Sequence, residues 1–201
     1  MPLTFRRARL DDVDAAIPLI YSSGPDAFDY AFARPGRNCA QDFLRYAFVQ
    51  GGGQFGWRQH WVGEQDGQVV AAGTVFGGEA NLGYMLAATR QILGYFGWGS
   101  AGVIRRGLQL ERIICPPPRR TLYLAHLGVT PTLRGEGLGS QLIDHFLQIG
   151  RSVGLPMAAL DVSAANPRAQ ALYERLGFSV QAERVSTLPG VSSHRYMQRP
   201  L

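Results

Sequence analysis

The run Arg134-Gly135-Glu136-Gly137-Leu138-Gly139-Ser140 holds the residue types best suited to gripping an anion. Its three glycines lack Cβ atoms, so a phosphate can come close to the main chain. Arg134 adds a positive charge. If a helix starts here, about four of its N–H groups lack partners and its dipole is positive at this end, which is the arrangement for phosphate binding. Two familiar phosphate loops fail to match. A dinucleotide fingerprint needs glycines at its first, third and sixth positions, and counting from Gly135 the sixth is Ser140. A P-loop needs Gly-Lys-Ser/Thr, and the chain contains no lysine. A plain strand-to-helix turn would use the same glycines and stays open as the simpler reading.

The flanking residues say what must position this loop. Residues 123–129 form an apolar run of buried-strand length, and Pro131 ends it by fixing φ and removing a donor. After the loop, Leu138, Leu142 and Phe146 lie on one helical row and Ile143 and Leu147 on the next. A second strand is expected at 157–162. A second helix then follows, punctuated by Asn166 as N-cap, Pro167 at the first helical position and Gly177 just past the end. Ala169, Leu172, Tyr173 and Leu176 mark its buried face.

These two blocks resemble those of the GNAT N-acetyltransferase superfamily. Arg134, Gly137 and Gly139 fit its acyl-CoA loop, Arg/Gln-x-x-Gly-x-Gly/Ala. Residues 166–178 fit its second block, N-x-x-A-x-x-x-Y-x-x-x-G-F. The resemblance implies an α/β fold with a mixed, mostly antiparallel central sheet flanked by helices, in the order strand, two helices, hairpin, strand, helix, strand, helix, strand. It also implies direct transfer of an acetyl group from acetyl-CoA to an amine, with no metal. Pantetheine would run along the main chain of Leu127, Gly128 and Val129. The diphosphate would sit on N–H groups of Gly135, Glu136, Gly137, Leu138, Gly139 and Ser140, helped by Arg134. Asn166 would touch the cofactor as well as cap its helix, although capping alone explains it. Tyr173 would be the catalytic acid for the departing thiolate, with a core aromatic as the alternative.

The general base has no clear owner. In an alternating strand Thr121, Tyr123, Ala125 and Leu127 share one face, and Leu122, Leu124 and His126 share the other. The family's acceptor side corresponds to the first set. His126 is therefore expected to pack away from the acceptor unless a bulge turns it inward. Asp161 is a second candidate, with a loop-capping role as its alternative; the expected acceptor face offers no carboxylate, which leaves a water chain or a residue of the segment from Asp26 to Tyr30 as further routes.

In chain order, residues 3–9 suggest a strand ending at an Asp11-Asp12 cap. A helix with Val13, Ala16, Ile17 and Ile20 follows, which Pro18 should kink or shorten. A turn at Ser22-Ser23-Gly24-Pro25 precedes a helix around 39–49. Strands at 60–65 and 68–76 flank Asp66-Gly67, a hairpin signal. Residues 77–120 depart from the family's short link. Helical spacing on both sides of Gly97-Trp98-Gly99 predicts two helices, then the rigid Pro116-Pro117-Pro118. This insertion is either an extra layer or homodimer surface, or a wall over the acceptor pocket. On this reading residues 1–201 are one acetyltransferase domain containing a helical insertion at 77–120.

The chain has 201 residues, 46% of them apolar, enough for one core. Its two cysteines, Cys39 and Cys115, imply neither a disulfide framework nor a zinc site. All 20 basic residues are arginine, but no basic run interleaves with aromatics, so nucleic acid is not the expected partner. Charges throughout residues 1–20 argue against a signal peptide, and 91–104 is too short to span a bilayer. A cytoplasmic protein with no membrane partner is the default. A small-molecule amine is the expected acceptor. A protein N-terminus or lysine, or a non-catalytic acyl-CoA-binding role, are the alternatives. Six arginines against two acids within 77–120 suggest that the acceptor carries an anionic group, unless those arginines are solvated or hold the CoA 3′-phosphate.

Overall fold

The computed structural model describes residues 3–34 and 40–201; Cys39 lies outside the described residues. The elements are β1 (Thr4–Arg7), α1 (Val13–Ser22), α2 (Pro25–Phe32), α3 (Ala40–Gln50), β2 (His60–Gln65), β3 (Gln68–Gly77), α4 (Asn81–Phe96), α5 (Ser100–Leu110) and β4 (Thr121–Val129). Then come α6 (Leu138–Ser152), β5 (Met157–Ser163), α7 (Pro167–Arg175), β6 (Ser179–Arg184) and β7 (His194–Pro200). The strands form one seven-stranded sheet in the order β1-β2-β3-β4-β5-β7-β6. Every neighbouring pair is antiparallel except β4 and β5. This is the mixed, mostly antiparallel α/β architecture expected.

Helices cover both faces of the sheet. On one, Ile17, Ile20, Phe43, Leu44 and Phe48 of α1 and α3 pack with Val62 and Ala72, and are joined by Phe28 and Phe32 of α2. On the other, Leu142, Ile143, Phe146 and Leu147 of α6 pack on Val70, Leu122, Leu124 and Leu160. Each fully buried side chain of this size contributes about 1.5–3 kcal/mol. A Cβ on Gly128 would run into the Leu19 carbonyl, so glycine is what lets α1 lie against β4.

Three local expectations need correction. Pro18 sits inside an unbroken α1, where it costs only the bond to the carbonyl four residues back, on exposed Asp14. Residues 25–32, beyond the expected turn, form α2 with Pro25 at its first position. After α7 there are two strands rather than one, and β7 inserts between β5 and β6.

The insertion is two helices, α4 and α5, joined by a 3-10 turn at Gly97–Gly99. It is bolted to the first layer. Gln91 Nε2 donates to the carbonyls of Ala47 and Gly52, Arg106 Nε to that of Ala31, and Tyr30 Oη to Gln109 Oε1. Among the described residues no helix is long and apolar enough to cross a membrane.

Candidate active site

Strands β4 and β5 pair only from Thr121–Met157 to Tyr123–Ala159. Beyond Tyr123 the edge of β4 that faces β5 has no ladder partner among the described residues, whereas its other edge stays paired to β3 through Val129. The two strands therefore part just where the sequence reading puts Leu127, Gly128 and Val129.

The register between β3 and β4 slips between Ala72 and Thr74, and opposite the slip His126 adopts φ 57°. This is a bulge, and it overturns simple alternation. Leu127 packs with Leu122 and Leu124 against α6, while His126 faces the other layer beside Phe28 and Phe55. His126 thus lies on the side from which strict alternation excluded it.

Just beyond this same end of β4, Gly137 caps α6 with φ 82°, and a Cβ there would meet only open space. The first bond of the α6 ladder runs from Gln141 N to Gly137 O, which leaves the N–H groups of Leu138, Gly139 and Ser140 ahead of it. Glu136 N donates to the Leu133 carbonyl, and Arg134 Nε to that of Val129. A second cation, not anticipated from the sequence, reaches this loop: Arg168 Nη2 would lie 3.4 Å from a Cβ on Gly135. Its only sequence signal is its place at the start of α7, two residues after the Asn166 cap. Asn166 Oδ1 accepts from Ala169 N, so its side chain is engaged in capping. Backbone donors, two guanidinium groups and a loop without Cβ obstruction fit a diphosphate.

A cavity of about 340 Å³ opens on the opposite side. Its floor includes Leu124, Ala125 and His126 of β4 and Asp161 and Ser163 of β5, so it reaches the gap between the parting strands. Its walls are mostly apolar: Phe28 and Phe32 from α2, Phe55, and Met85, Ile92 and Leu108 from the insertion. None of the described lining residues is an arginine; Asp161 and Glu111 are its carboxylates. The arginines of 77–120 therefore do not line the cavity themselves, although Arg106 reaches the carbonyl of Ala31 in its wall.

Asp161 is fully engaged. Tyr123 Oη donates to its Oδ2 at 2.7 Å, and Arg184 Nη1 lies 3.1 Å from its Oδ1, with 3% of the side chain exposed. Burial pushes its pKa up to about 6 despite the Tyr123 hydrogen bond and the Arg184 charge. This clamp between two strands is a structural part for Asp161 that differs from both the base and the loop cap.

Tyr173 packs in the α6–α7 layer, edge-on to Phe178 at 6.2 Å, and is not among the cavity-lining residues. It keeps partial exposure, and burial pushes its hydroxyl up to about 12, so it holds its proton at neutral pH.

Residues 38–178 match the Acetyltransferase (GNAT) family. A mycothiol acetyltransferase of Propionibacterium freudenreichii subsp. shermanii is 39% identical over 72 residues, 36% of this chain and 22% of that protein. A 5-NmdU N-acetyltransferase of Pseudomonas phage PaMx11 is 37% identical over 78 residues, 39% of this chain and 52% of that protein. The chain thus spans between about a fifth and a half of the length of these two relatives. Among solved structures, an N-acetyltransferase from Staphylococcus aureus Mu50 aligns over 98% of this chain and 100% of that one, with TM-score 0.70 and 16% identity. That is a likeness of fold.

Proposed function

The chain belongs to the Acetyltransferase (GNAT) family, and from that premise we propose that it is an N-acetyltransferase. It moves an acetyl group from acetyl-CoA directly to the amine of a small, largely apolar molecule. Residues 1–201 act as one domain, since all seven strands share a sheet. The observation that carries the reading is the apolar cavity that touches both β4 and β5 where they separate.

In this arrangement the unpaired edge at Leu127, Gly128 and Val129 receives pantetheine. The N–H groups at 138–140, with Arg134 and Arg168, hold the diphosphate. Bound acetyl-CoA supplies a thioester carbonyl open to attack by an amine. Fixed N–H donors beside an apolar cavity stabilise developing charge more than bulk solvent does. Tyr173 offers a neutral O–H to the departing sulfur. With Asp161 and Glu111 as its only carboxylates among the described residues and no arginine, the cavity suits an amine on an apolar body better than an acceptor bearing an anion.

Thiol release from acetyl-CoA, measured across matched acceptors, tests this. 2-Phenylethylamine and hexylamine should turn over faster than phenylalanine, spermidine or an alanine-initiated peptide. Faster turnover of the peptide would move the assignment to protein N-termini. No release above the acceptor-free background with any amine would refute the enzymatic reading.

A further inference from the structure

His60 and His126 are two of the four histidines, and they touch each other. His60 is 0% exposed, and its Nδ1 lies 2.9 Å from the Gly56 carbonyl oxygen. A carbonyl only accepts, so His60 Nδ1 carries the proton. Burial keeps the ring neutral, with its pKa pushed down to about 4. Its Nε2 is therefore a lone pair. That atom is 3.1 Å from His126 Nδ1, and the ring planes are within 11° of parallel, so His126 Nδ1 must donate. One chain of hydrogen bonds thus fixes both tautomers and leaves His126 Nε2 unprotonated. Nε2 has no hydrogen-bond partner among the described residues. It is also not one of the sealed-in unpaired atoms, which are on Trp61, Gln65, Gln91 and His145. Phe28 and Phe55, with ring centroids 5.7 and 5.5 Å away, hold the imidazole plane at the cavity floor.

Building on the acetyl-transfer reading, we infer that His126 is the general base of the reaction, accepting the amine proton on Nε2, and that His60 positions it by fixing its tautomer. The apolar cavity disfavours an ammonium, so the acceptor gives its first proton to solvent and reacts as R–NH2. Its lone pair forms the C–N bond, and the nitrogen, now positively charged and strongly acidic, passes a proton to Nε2. The C–S electron pair leaves on sulfur. Tyr173 protonates the sulfur and is reprotonated by solvent, and His126 returns its proton to solvent through the cavity. Burial, together with the neighbouring His60, lowers the His126 pKa well below its ordinary value. A weakly basic imidazole is matched to such an acidic N–H, and it stays ready to accept at neutral pH.

His126→Gly tests this without backbone strain, because glycine adopts φ 57° freely. With the best amine of the acceptor panel, kcat should fall roughly 10²–10³-fold while the KM for acetyl-CoA holds. Added imidazole should restore turnover, and methylimidazoles should restore it in order of their basicity. A wild-type rate in the variant, or a folded variant that imidazole does not rescue, would overturn the inference. A second measurement needs no acceptor, so it separates this inference from the acetyl-transfer reading. Nitrogen-15 NMR of the wild-type protein should show His126 protonated at Nδ1 only, and His60→Leu should shift it toward the Nε2–H form. Nε2–H in the wild type would overturn the inference even if every amine fails as a substrate.

Discussion

Replacing Tyr173 by phenylalanine removes one oxygen from α7 and leaves its edge contact with Phe178 in place. If the hydroxyl protonates the leaving thiolate, kcat should drop roughly 10²–10⁴-fold with little change in the KM for acetyl-CoA or in thermal midpoint. Single-turnover rates are the measurement, because slow product release would hide part of the loss. An unchanged single-turnover rate would leave Tyr173 as a packing residue. Single residues were also where the sequence was hardest to read. Tyr173 and Asn166 could be picked out because each belongs to a local pattern with fixed spacing. His126 is legible only on condition of a bulge, since alternation sends it to the wrong face and the bulge depends on a register slip against β3. Its partner His60 lies 66 positions away, so no local window contains both.

The loop before α6 is the element whose chemistry is most exposed to test. A valine at Gly137 would block the anion's approach, but φ 82° is a left-handed conformation that a β-branched residue resists. Lost binding could then not be told apart from lost folding. Arg134→Ala and Arg168→Ala are better probes, as both side chains are exposed. Each should weaken CoA binding roughly 3- to 10-fold by calorimetry, less at high salt, with the thermal midpoint unchanged. CoA affinity that survives the double substitution would remove the loop from the binding site. Elements with complete local signals were legible: α6, α7, the Asp66-Gly67 hairpin, and the two insertion helices split at Gly97–Gly99. Helix α2 is eight residues long, too short to show a clear period. The placing of β7 between β5 and β6 is a long-range pairing that no local pattern encodes.

Across the whole molecule, burial sets how stability depends on pH. All four histidines have lowered pKa values, with desolvation the largest cause in each: His60 to about 4, His126 well below its ordinary value, His145 and His194 in the same direction. A group whose pKa is lower in the folded state stabilises the fold above its unfolded value, near ~6.5 for histidine, and loses that contribution as pH falls toward the folded value. For His60 alone the loss is on the order of 3 kcal/mol by pH 4. Asp12 and Glu79, also lowered, add losses only below the ordinary carboxylate range near ~4. Asp161 acts in the opposite sense. Its pKa is raised to about 6, so its protonation favours the fold as pH drops through that value and offsets part of the histidine loss. Thermal midpoints should therefore fall steadily from pH 7 to pH 4.5. In Asp161→Asn, which lacks the opposing group, the fall over the same interval should be steeper. A midpoint that is flat or rises toward pH 4.5 would contradict the neutral, buried histidines on which the His60–His126 pairing rests. Equal slopes in the two proteins would mean that the Arg184 and Tyr123 contacts keep Asp161 ionised throughout.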